Sequence, residues 1–138
     1  MKRFFDFFYK IRTFEIVTLR TSGMQPTVEY EITNDGERAE VSQYAVEYRD
    51  GETMRRPERR AVCDKAAVIR LMNQCRLFAW DGFDGKHPKY VKDGTQFVLK
   101  ATVNGGKEIH AKGSQNFPRH YHEFTDGLRE ILESGEIY

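Results

Sequence analysis

Two stretches of this chain alternate apolar and polar residues with period two and then run into turn formers, which commits much of the sequence to antiparallel hairpins. In residues 95–103, Phe97, Leu99, Ala101 and Val103 share one side, and Asn104, Gly105 and Gly106 turn the chain toward a partner strand through Ile109 and Ala111. In residues 27–33, Val28, Tyr30 and Ile32 oppose Glu29, Glu31 and Thr33, and Asn34, Asp35 and Gly36 follow as a turn. A strand with one apolar and one polar side keeps one sheet face wet. The dry face then needs helices.

The other elements follow from the same patterns. Residues 14–21 are rich in β-branched and aromatic side chains and predict a first strand, ended by Thr21, Ser22 and Gly23. A third strand is expected over residues 37–49, closed by Asp50 and Gly51. Its apolar parity switches from Ala39 and Val41 to Tyr44, Val46 and Tyr48, which predicts a bulge near Ser42 or Gln43. Residues 52–61 set Arg55, Arg56, Arg59 and Arg60 around Pro57 and Glu58 and read as a solvated loop. Asp64 is placed to cap a helix carrying Val68, Leu71, Met72, Cys75 and Phe78. A last helix is expected to open with Pro118 in its first turn and to run to about Glu133 on a stripe of Tyr121, Phe124, Leu128, Ile131 and Leu132, with Ser134 and Gly135 ending it. The order βββαββα predicts an α+β fold: an antiparallel sheet of about five strands with two helices on one face. One domain spans residues 1–138, with residues 1–12 as a packed N-terminal extension.

Composition narrows the class. With 39% hydrophobic and 31% charged residues the chain is too apolar for a disordered tail and too charged for a membrane span. A formal charge of +1 argues against specific nucleic-acid binding through a dominant positive field. Phe4, Phe5, Phe7 and Phe8 need a covering surface, either the domain's own sheet or a homodimer contact. A membrane-surface helix is disfavoured because the run is short and Asp6 interrupts it. Cys63 and Cys75 match no metal or redox spacing and are expected as free, mostly buried thiols, about 18 Å apart if one helix carries both. With no uninterrupted apolar run near the start, the expected address is the cytoplasm.

Two stretches offer chemistry. The long connection over residues 79–94 holds Trp80 and Phe83 as anchors of a self-packed loop, or as part of a ligand-binding one. Asp81, Asp84 and His87 within it are metal-ligand types, but the spacing follows no cation loop and Asp before Gly is turn chemistry, so no metal is assigned. The segment from Gly113 to Pro118 leads into the last helix, where free N–H groups near Arg119 and His120 suit an anion, and where Ser114 or Asn116 suit a cap. His120 and His122, two apart on a helix, point in different directions and are expected in solvent, as is His110 on the outer sheet face. The candidate ligand-binding set is Trp80, Asp81, Asp84, His87, Asn116 and His120. No catalytic residue and no cofactor is assigned.

The run of Trp80, Asp81, Gly82 and Phe83, then Asp93, Gly94 and Phe97, then Gly113, Phe117, Pro118 and Tyr121 resembles small bacterial proteins of uncharacterised function that share this aromatic loop, a hairpin and a proline-led terminal helix. The resemblance covers about half the chain. It implies an intracellular bacterial α+β domain and says nothing of substrate. With neither a nucleophile beside its base nor a cofactor fingerprint in the sequence, the expectation leans away from an enzyme. It favours an interaction or binding domain for a protein or small molecule. The alternative is a small-ligand binder or enzyme with its site between the Trp80 loop and the start of the C-terminal helix.

Overall fold

The computed structural model describes residues 10–23, 26–92 and 94–134. The N-terminal phenylalanines lie outside them, as does Gly135. The strands are β1 (Phe14–Ser22), β2 (Val28–Asp35), β3 (Arg38–Arg49), β4 (Glu52–Asp64), β5 (Asp84–Gly85), β6 (Gln96–Val103) and β7 (Lys107–Ser114), and the helices are α1 (Lys65–Gln74) and α2 (Tyr121–Ser134). They form one seven-stranded sheet in the order β4-β3-β2-β1-β6-β7-β5. All pairings are antiparallel except that of β5 with β7. The α+β class and the helices agree with the sequence; the sheet is larger than expected and mixed. Neither helix is long and apolar enough to cross a membrane.

The additional strands correct the reading of two supposed loops. Residues 52–61 belong to β4, where Pro57 is tolerated because β4 is an edge strand and the register shifts there: Gln43 pairs with Arg59 and Tyr44 with Pro57, leaving Glu58 as the extra residue. The bulge therefore sits opposite Gln43 and Tyr44, on β4 rather than on β3. β3 itself keeps regular parity, with Ala39, Val41 and Ala45 toward the helices and Tyr44 and Tyr48 on the open face. Within the Trp80 loop, Asp84 and Gly85 pair with Lys112 and Gly113 as β5.

The core lies between the sheet and the helices. Val17, Leu19, Ile32, Val41, Phe97, Leu99 and Ile109 meet Val68 and Met72 of α1 and Tyr121, Phe124, Leu128 and Leu132 of α2. α1 follows Asp64, which stands at the cap position with extended backbone but makes no side-chain cap bond. Cys63 is in β4 and Cys75 just beyond α1, so no single helix carries both, and both are free. α2 starts at Tyr121, later than expected, because His120 is left-handed at φ 69° and cannot be helical. Pro118 instead forms the preceding turn, its carbonyl accepting from the Tyr121 N–H at 3.2 Å.

An aromatic row pins that turn to the sheet. Phe97 lies 4.9 Å from Tyr121 and 5.7 Å from Phe117, ring centre to ring centre, and Phe117 stacks on Tyr121 at 4.6 Å. Such pairs add about 0.5–1.5 kcal/mol each beyond their buried area. Gly113 makes the approach possible, since a Cβ there would stand 2.1 Å from the Asn116 carbonyl oxygen.

Candidate functional site

The structure distributes the sequence-derived site residues among different jobs. Trp80 is 3% exposed and anchors its loop inside the core, its indole N–H donating to the Arg119 carbonyl at 3.1 Å and its ring edge-on to Phe124. Asp81 accepts from the His110 backbone N–H and from Lys107, each at 3.0 Å. The His110 N–H first, and Lys107 second, hold its carboxyl below the usual range. Asp81 thus ties the loop to β7. His120, half-buried rather than in solvent, precedes α2 and bonds the Glu123 carboxylate at 2.9 Å. His122 is on α2 and exposed, and His110 is exposed beside Glu108, as expected.

Asp84 and His87 do come together, in a groove on the open sheet face. Its volume is about 420 Å³, and Arg20, Lys86, Lys112 and Ser114 share its lining. His87 Nδ1 bonds the Ser114 hydroxyl at 2.8 Å while Nε2 donates to the Val91 carbonyl, so both ring nitrogens are occupied in closing the loop. Asn116 donates to the Lys86 carbonyl at 3.3 Å and closes it from the other side. Of the proposed set, these three residues fasten the loop to the strand end. Among the described residues no His, Cys, Asp and Glu side chains gather as a metal site.

The residues that sequence reasoning passed over lie at the other end of the sheet. β2 reaches β3 only as far as Ala45, which pairs with Val28, and a last bond runs from the Val46 N–H to the Thr27 carbonyl at 2.9 Å. β3 and β4 continue past this point through the pairs Glu47 with Met54, Tyr48 with Thr53 and Arg49 with Glu52. Asp50 and Gly51, at φ 52° and 81°, close the tip. Among the described residues no third strand flanks this arm, residues 47–54. Tyr48 is 66% exposed on one face and Met54 51% exposed on the other. Glu47 is reached across the ribbon by Arg56 at 3.4 Å, which ties the two strands together, and along β3 by Arg49 at 3.6 Å.

At the root of the arm a charge network stiffens the open face. Glu29 is buried and accepts from Arg20 at 3.1 Å and from Arg55 at 2.8 Å, and Arg55 also reaches Glu31 at 2.6 Å. The Arg55 guanidinium lies 4.1 Å over the Tyr44 ring. These bonds, Glu31 foremost, hold its proton more tightly than usual. Arg55 is therefore structural, whereas Arg56 and Arg60 each reach a single carboxylate, Glu47 at 3.4 Å and Glu40 at 3.6 Å, on the exposed surface of β4.

The sequence matches no protein-family model, and no curated protein or solved structure is significantly similar to it.

Proposed function

We propose that this chain is an interaction domain that grips a protein partner with the β3–β4 arm. The observation that carries this reading is the exposure of Tyr48 and Met54 on opposite faces of a ribbon that no third strand supports among the described residues. A two-stranded ribbon gains little from water-facing apolar side chains, and tyrosine, methionine and arginine are the residues that interface cores enrich. A tip that presents one such group on each face suits insertion into a groove with an apolar socket on either wall. Arg59 and Arg60 extend the surface along β4, where they line a cleft of about 720 Å³ with Tyr44 and Leu132. The two free thiols suit a reducing compartment, and we place the domain in the bacterial cytoplasm.

The test is site-specific photo-crosslinking in the native cell. A crosslinking residue at Tyr48 or Met54 is expected to trap the same discrete protein, and one at Glu130, exposed on α2, is expected not to trap it. Identical products from all three positions, or none from the arm, would refute the reading.

A further inference from the structure

A second site lies on the opposite face of the sheet, where the first turns of α2 meet the ends of β1, β2 and β6. A cavity of about 280 Å³ opens there, near the lower end of the usual range for ligand pockets, about 300–1,000 Å³. Its wall is the stacked pair Phe117 and Tyr121, and Tyr30, Thr125, Arg129 and the Tyr121 hydroxyl are among its polar groups. Thr125 is already used, its hydroxyl donating to the His122 carbonyl at 3.1 Å. Arg129 hydrogen-bonds Tyr30 and pairs with Asp126 at 3.0 Å, which steers the guanidinium to the cavity rim. Tyr121 is only 4% exposed, and its hydroxyl lies within electrostatic reach of Tyr30 and Arg129. Burial keeps it protonated and so a donor.

The loop that closes the cavity is held in an unusual shape. Gln115 and His120, at its two ends, adopt φ of 47° and 69°, conformations that L side chains rarely take. Gln115 is fixed from both of its groups, its side chain accepting from the Thr95 N–H at 2.9 Å and its own N–H donating to the Thr95 carbonyl at 2.7 Å.

A planar apolar wall, one cation at the rim and one hydroxyl donor define a ligand by chemistry. We propose that this cavity binds a small planar carboxylate, its ring against Phe117 and its carboxylate bridging Arg129 and the Tyr121 hydroxyl. Asp126 and His122 are the other charged or titratable groups at the mouth. The Asp126 carboxylate favours a monoanion over a more highly charged ligand such as phosphate.

Benzoate is the probe, followed by NMR of the full chain, with benzamide as its uncharged counterpart. The expected result is saturable shifts at the amides of Tyr121, Thr125 and Arg129 with Kd on the order of 1 mM, as suits so few atoms. Arg129→Gln should weaken benzoate about tenfold and leave benzamide unchanged, since a charged hydrogen bond is lost only in the first case. Tyr121→Phe should weaken both ligands, because both lose the hydroxyl donor. Shifts that do not saturate, an equal effect of Arg129→Gln on both ligands, or inorganic phosphate binding as tightly as benzoate would overturn the proposal.

Discussion

Trp80 is where one side chain decides most. Its ring closes the space between the start of α2 and the loop, touching Tyr121 and Phe124 while its N–H satisfies the Arg119 carbonyl. Trp80→Ala should cost about 3–5 kcal/mol. As the single tryptophan, it should emit at the short wavelengths of a buried indole; native emission at the position of hydrated tryptophan would contradict its placement. Cys75 offers a second measurement. Desolvation first, and Glu123 second, push its thiol up to about 11. The native state then keeps its proton while the unfolded chain loses it, so the stability from burying a neutral thiol is full below about pH 9 and lost as pH rises through about 11. The stability difference between the native sequence and Cys75→Ala should shrink by roughly 2–3 kcal/mol across that window. Parallel pH profiles for the two proteins would show that the thiol is not buried as described.

β4 shows what can and cannot be read from a sequence at the scale of elements. The hairpins of β2–β3 and β6–β7 were legible because each has one wet and one dry face, with a turn between. β4 was not, because an edge strand reaching past the helices is wet on both faces over Glu52 to Arg60, and its residues carry no alternation to detect. β5 pairs so briefly that no pattern could announce it, and the delayed start of α2 depends on the left-handed His120, which only tertiary contacts impose. Within the candidate site, Trp80 was legible as a loop anchor, whereas Asp81 read as turn chemistry and its tie to β7 depends on the fold. Tyr48 looks like an ordinary strand residue and Met54 falls in the stretch read as a loop; among the described residues β2 begins at Val28 and leaves both without a covering strand. The arginines of β4 also look alike in sequence and differ in the fold. Arg55→Met should lower stability by about 1–3 kcal/mol, since it leaves the buried Glu29 short of a partner. Arg56→Met should change it by less than about 0.5 kcal/mol, because its pair with Glu47 is exposed. Equal losses measured by denaturant titration would dissolve the distinction.

At the scale of the molecule, folding and recognition occupy different ends of one sheet. The aromatic row, the anchored loop and the helices build the core around β1, β6 and β7, and the arm stands beyond the last bond between β2 and β3. Recognition should therefore be removable without unfolding the domain. A variant in which residues 47–54 are replaced by Asn-Gly joins the paired residues Val46 and Arg55 through a two-residue turn and keeps the Arg55 network. Its melting temperature and its binding to the partner trapped from Tyr48 are measured together. A melting temperature within about 3 °C of the native protein, as for loss of less than about 1 kcal/mol, with binding abolished, is the predicted result. A variant that remains folded and binds that partner undiminished would contradict the assignment of the arm as the interaction surface.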